Sequence, residues 1–187
     1  MPKFSLAKLL RRYWAILGVL CVVIGASVCF GIELKTTPSA RETFSMFLDL
    51  PYGSIASSAL ESRIKEKDHA IKLATAYCFD PSSDEYSTYY STWGRSADLL
   101  LFSSDYLKER DFGEFASVDS LMESDCYAVN GVSYGLKAEV KINEYFTVSN
   151  GAYYCFFRKT SVHIGNLSED CQSDLAIELA KEFFGAL

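Results

Sequence analysis

The chain has 187 residues, 49% hydrophobic and 22% charged, with a formal net charge of −6. That length holds one domain of ordinary size plus a short extra segment, and the composition excludes intrinsic disorder, collagen and a small disulfide scaffold. The acidic balance argues against nucleic acid as a partner, and the 12 Tyr and 13 Phe call for a well-filled core or an aromatic-lined surface.

Charge divides sharply along the chain. Residues 1–12 carry Lys3, Lys8, Arg11 and Arg12 and no acid, residues 13–32 carry no charge, and the chain from Glu33 onward holds all 24 acids. An uncharged, mostly apolar run of that length makes a helix about 30 Å long, the thickness of a bilayer's hydrocarbon core. Tyr13 and Trp14 open it, where amphipathic rings favour the lipid–water boundary. Its small residues (Gly18, Gly25, Ala26, Ser27) do not fall at GxxxG spacing, so no dimerisation through the span is expected. The basic flank predicts a cytoplasmic tail over 1–12, a single transmembrane helix over 13–32 and a cell-membrane protein whose acidic domain is extracytoplasmic. Two other readings leave the domain on the same side: a signal peptide cleaved near Gly25-Ala26-Ser27, and a lipid anchor on Cys29.

Residues 33–42, polar and holding Pro38, read as a stalk, and the α/β domain is expected over 43–187. The alternation of Phe44, Met46, Leu48 and Leu50 predicts a strand over 43–50. Ile55, Ala59, Leu60 and Ile64 fall at helical spacing over 54–66, and residues 70–79 read as a second strand. Ser82 and Glu85 match a capping box for a helix over 83–94, whose Tyr86, Tyr89, Tyr90 and Trp93 form an aromatic stripe read as core. The run 98–102 reads as a strand covered on both faces, with a short helix near 104–110 behind it.

Asn130-Gly131 between Cys126–Val129 and Val132–Tyr134 signals a hairpin. A half-exposed strand over 137–142, an apolar strand over 152–158 and a final helix capped by Asn166 or Ser168 complete the chain. The β-α-β-α-β-α order predicts an α/β fold: an open, mostly parallel sheet with helices on both faces and a β-hairpin, preceded by the transmembrane helix.

Three segments carry a resemblance. They are the first strand, helix and second strand; the run Ala97 to Leu107, with an Ala-Asp pair opening an apolar strand; and Ser161 to Phe184. Together with Phe115–Leu121 and Cys126–Leu136 they resemble the first lobe of type II periplasmic, extracytoplasmic solute-binding proteins. The chain is also similar to small single-pass surface proteins of Gram-positive gut bacteria. The resemblance implies a solute-binding-protein-like lobe that binds and does not catalyse. It also marks a departure, since that family holds its ligand between two lobes. Here residues 137–150 alone separate Leu136 from Gly151, too few for a second lobe.

Catalytic and metal motifs are missing from the sequence. His69 and His163 are the only histidines, no GxSxG elbow surrounds Ser54, Ser103 or Ser161, and no zinc spacing, EF-hand, Walker A loop or GxGxxG occurs. No catalytic residue, metal or cofactor is expected. Cys78, Cys126, Cys155 and Cys171 allow three disulfide pairings, while Cys78 and Cys155 also fit as buried free thiols inside strands. Ligands of open α/β sheets sit beyond the carboxyl ends of strands. The candidate ligand-binding residues are therefore Tyr52, Gly53 and Ser54 after the first strand, Ser103, Ser104 and Asp105 after the third, and His163, after the strand at 152–158, which lines the same rim or else is a capped loop histidine. The expected role is that of a membrane-anchored binding or accessory protein for a small solute or a protein partner. An assembly subunit of a membrane complex and a surface hydrolase are the alternatives.

Overall fold

The structure, a computed structural model, describes residues 13, 14, 16, 18–27, 37–108, 110–121, 125–148, 151–168 and 172–186. The chain divides into two units, Met1–Pro38 and Ser39–Leu187. In the first unit, the described positions from Tyr13 to Ser27 are helical and exposed, and the Ser27 hydroxyl donates back to the Val23 carbonyl at 2.8 Å. No helix among the described residues is long and apolar enough to cross a membrane. Part of the expected 13–32 span, the whole of the 1–12 tail, and Cys29 lie outside the described residues.

The second unit is built on a six-stranded sheet: β1 (Thr43–Leu48), β2 (Leu73–Cys78), β3 (Leu99–Ser103), β4 (Cys126–Val129), β5 (Val132–Ala138) and β6 (Tyr153–Phe157). The spatial order is β2-β1-β3-β6-β5-β4. β1 lies parallel to both β2 and β3, but β3–β6, β6–β5 and β5–β4 are antiparallel. The sheet is thus mixed, with a majority of antiparallel pairs, which corrects the expectation of a mostly parallel one. Among the described residues no helix connects β4, β5 and β6, and a helix is the usual crossover that joins parallel strands.

Helices α1 (Ser57–Lys67), α2 (Tyr86–Thr92) and α3 (Leu175–Phe184) cover both faces, as expected. Phe44, Met46 and Leu48 of β1 pack with Leu60 and Ile64 of α1 and Leu179, Phe183 and Phe184 of α3. Phe47, one step out of phase, enters the opposite layer with Tyr86, Leu100, Phe102 and Phe156. Strand alternation alone makes that division.

Several local expectations are corrected. Ser82 does not cap α2: its backbone N and hydroxyl both donate to Asp80 Oδ1, at 2.9 and 2.6 Å, closing an Asx turn at Asp80-Pro81. A 3₁₀ turn, Ser104–Tyr106, replaces the helix near 104–110. Of the half-exposed strand expected over 137–142 only Lys137 and Ala138 are strand, the end of β5; beyond them Val140 is buried but Ile142 is 67% exposed. α3 begins at Leu175, so neither Asn166, in a 3₁₀ turn, nor Ser168 caps it. Its other end closes as expected of a glycine cap, with Gly185 at φ 58° and its N–H on the Lys181 carbonyl at 3.0 Å.

Candidate functional site at the carboxyl ends of β1 and β3

α1, between β1 and β2, lies on one face of the sheet, and α2, between β2 and β3, lies on the other. The chain leaves β1 for α1 on one face and leaves β3 for a loop whose Leu107, Phe112 and Phe115 pack on the other, so the two exits diverge at the carboxyl ends. Such a switch point is where open α/β sheets form their ligand crevice.

Asp49 stands there, one residue past β1, and its side chain is fully buried. Its Oδ2 accepts from the Ser103 N–H at the end of β3, at 3.4 Å, so one carboxylate bridges both strand ends. The Tyr86 hydroxyl of α2 donates to Asp49 Oδ1, and Arg110 Nη2 donates to that same hydroxyl. Arg110 Nη2 also lies 3.6 Å from Asp49 Oδ2. Burial pushes the Asp49 carboxyl up to about 7, against the opposing pull of the Tyr86 hydrogen bond and the Arg110 charge. Burial, with the Asp49 charge added, raises the Tyr86 phenol well above its usual range.

The Arg110 guanidinium is boxed by rings. Its Cζ lies 4.2 Å from the Phe102 centroid, 4.5 Å from Tyr90 and 5.1 Å from Tyr86. Among the described residues the Tyr86 hydroxyl is its one hydrogen-bond acceptor. A groove of about 540 Å³ opens over Tyr86, Tyr90 and Arg110, with Ser83 and Arg95 on its wall. The Ser83 hydroxyl is buried there with no hydrogen-bond partner. A somewhat larger hollow of about 610 Å³ beside α3 is lined by exposed side chains such as Gln172, Asp174 and Lys181 and holds no buried ionisable group.

The expected site residues divide. Tyr52, 92% exposed, and Gly53, at φ 79°, form a turn after β1. Ser54 is buried beneath it, its N–H on the Pro51 carbonyl at 3.1 Å and its carbonyl accepting from Thr147. Ser103 meets Asp49 as described, while Ser104 donates its N–H to Ala152 at 2.9 Å and its hydroxyl lies 3.5 Å from Asp105.

His163 is not on this rim. Its ring is buried at the amino end of β1, where Nε2 lies 3.2 Å from the Ala40 carbonyl and 3.0 Å from that of Thr43. Two carbonyl acceptors fix the proton on Nε2, so Nδ1 accepts from the Ser173 hydroxyl at 2.9 Å. Nearby Ser161 donates to Asp98 Oδ1 at 2.6 Å and accepts the His163 backbone N–H at 3.1 Å. Asp98 also takes the Ser45 N–H at 2.8 Å, and burial pushes its carboxyl upward. Ser161, His163 and Asp98 thus lie close together, but they form no relay: the ring bonds Ser173 through Nδ1 and backbone carbonyls through Nε2, while Asp98 bonds Ser161 and not the imidazole. This cluster fastens Ser161, His163 and Ser173 to the start of β1 and to Asp98.

Sequence reasoning missed Asp49, Tyr86 and Arg110. Asp49 had a signal, an acid enclosed between Leu48 and Leu50 in an apolar run. Tyr86 was absorbed into the aromatic stripe, and Arg110 sits in a charged stretch with nothing to single it out.

Among the described residues no cluster of three or more His, Cys, Asp or Glu side chains could hold a metal ion. The four described cysteines, Cys21, Cys78, Cys126 and Cys155, are free thiols, and Cys171 lies outside the described residues. Burial raises the Cys155 and Cys78 thiols, the latter to about 11, which suits packing and not reactivity. Comparison with protein-family models, with curated proteins and with solved structures found no match for this chain.

Proposed function

We propose that the protein is a membrane-anchored, extracytoplasmic binding protein whose Ser39–Leu187 unit captures a small solute at the carboxyl ends of β1 and β3. One observation carries this reading. Arg110, a cation on the floor of a groove, has a single described hydrogen-bond acceptor and is held by rings at the sheet's switch point. Arg158, by contrast, spends both of its terminal nitrogens, on Glu114 at 2.7 Å and on the Gly94 carbonyl at 2.6 Å, and leaves only Nε unpartnered. The single-lobe resemblance to solute-binding proteins and the uncharged run over 13–32 support the location and the non-catalytic role.

The test is a thermal-shift screen of the full chain in detergent micelles against amino acids, sugars, short peptides and oxyanions. A solute class that raises the unfolding temperature, and loses that effect in Arg110→Lys, is the expected result. No shift with any class overturns solute capture in favour of an assembly subunit, which cross-linking in native membranes then identifies by its partner.

A further inference from the structure

The groove's chemistry narrows what it can hold. Three rings lie against the Arg110 guanidinium carbon and Nη2 is engaged with Tyr86 and Asp49, so the donors left for a ligand are those of its other nitrogens. A planar fork of N–H groups matches a carboxylate in bidentate fashion. Tyr86, Tyr90 and the 41%-exposed Tyr106 give the groove apolar walls for the body that bears it. Asp84 and Asp111 also line the groove and make a doubly charged anion costly. The unpaired Ser83 hydroxyl supplies a further donor within the same space.

We infer that the groove takes a singly charged carboxylate on Arg110, and that seating it draws one proton from solvent onto Asp49. This rests on the binding reading above. Two carboxylates sharing one buried guanidinium repel, and the pair is relieved when the enclosed one is neutralised. Asp49 is the enclosed one, fully buried and 3.6 Å from Arg110. A proton on Asp49 leaves the guanidinium's charge to the ligand.

Other groups around the pair do not confuse the assignment. From α2, β2 and β6, Tyr86, Cys78 and Tyr153 face Asp49, and burial holds all three protonated through neutral pH. On the loop beyond β3, the Asp111 carboxylate accepts from the Gly113 N–H at 3.0 Å, and Glu114 is paired with Arg158. That leaves Asp49, near 7, as the group whose proton count changes around neutrality.

Isothermal titration of the full chain in micelles with benzoate, acetate, inorganic phosphate and glucose tests this, run at pH 6 and pH 8 in two buffers of different ionisation heat. Benzoate is expected to bind about tenfold more weakly at pH 8 than at pH 6, with a buffer-dependent heat reporting proton uptake. Asp49→Asn is expected to bind with the same Kd at both pH values, and Arg110→Lys to bind at least tenfold more weakly at both. The buffer-heat comparison needs no variant, so it stands even if either substitution prevents folding. Benzoate binding with equal Kd at both pH values and no buffer-dependent heat overturns the proton linkage. Glucose or phosphate binding without either carboxylate overturns the ligand class and leaves solute capture standing. Failure of every solute in the wider screen removes the binding reading itself, and this inference with it.

Discussion

Asp49 is a buried carboxylate whose proton couples folding to pH. Asp49 titrates near 3.8 when exposed in an unfolded chain and near 7 in the fold. The folded state therefore keeps a proton that the unfolded state has already lost. Between about pH 4 and pH 7 stability falls as pH rises, and above that it levels off at the lower value. From pH 5 to pH 8 wild type is expected to lose about 2 to 3 kcal/mol relative to Asp49→Asn, read from urea unfolding of both at the two pH values. Gly135 is a residue-scale constraint of another kind. A Cβ there would lie 2.6 Å from the Phe156 ring, whose packing against Phe102 and Phe115 leaves it little room to move. Gly135→Ala is expected to cost about 1–3 kcal/mol in the same assay, with an unchanged denaturant slope.

Among the elements, the β4–β5 hairpin and α3 are the most exposed to test. Asn130 at φ 52° and Gly131 at φ 83° make the two-residue turn that the right-handed twist of the flanking strands requires. Gly131→Val forces a β-branched side chain into the left-handed region, and a loss of roughly 1–2 kcal/mol is expected in thermal unfolding. Beyond that turn Tyr127 opposes Gly135 while Ala128 opposes Ser133, so Tyr134 is an inserted bulge residue. The bulge switches faces, which lets Tyr134 join the layer of Phe112 and Phe156 while Leu136 enters the layer beneath α3. α3 itself buries seven of its ten residues, and Leu179 has no exposure. Leu179→Ala leaves a cavity between helix and sheet and is expected to cost about 2–5 kcal/mol, again by urea unfolding.

At the scale of the whole molecule, charge is split along the chain. The basic residues 1–12 and the uncharged 13–32 precede every acid in the chain, and the membrane attachment proposed above, with the acidic body outside, rests on that split and on the positive-inside bias. The full chain is expected to sediment with membranes, to resist carbonate extraction and to lose its Ser39–Leu187 unit to protease added outside intact cells. A chain recovered in the soluble fraction, or cut only after lysis, would reverse that topology. Within the body, β2-β1-β3 supplies the crevice and the antiparallel β6-β5-β4 half backs it, with Arg158 locking β6 to Glu114 and Gly94.

Local pattern was enough to read much of this from the sequence. Alternation in 43–50 and 98–102, helical spacing around Leu60 and Ile64, and Asn130-Gly131 each depend on neighbours within a few residues, and each element formed where its pattern lay. Coverage of the sheet on both faces followed from the same phases. The hairpin set β4 against β5, but the direction of Tyr153–Phe157 against β3 and β5 did not follow, because its apolar run reads the same whichever way it pairs. The site split in the same manner. The loops after β1 and β3 were visible as turns at strand ends, but His163, 120 residues from Thr43 and in no motif, fell at the opposite end of β1. Asp49, Tyr86 and Arg110 belong to three segments far apart in sequence. Their meeting, and the desolvation that makes Asp49 hold its proton, come from long-range packing, which no local spacing records.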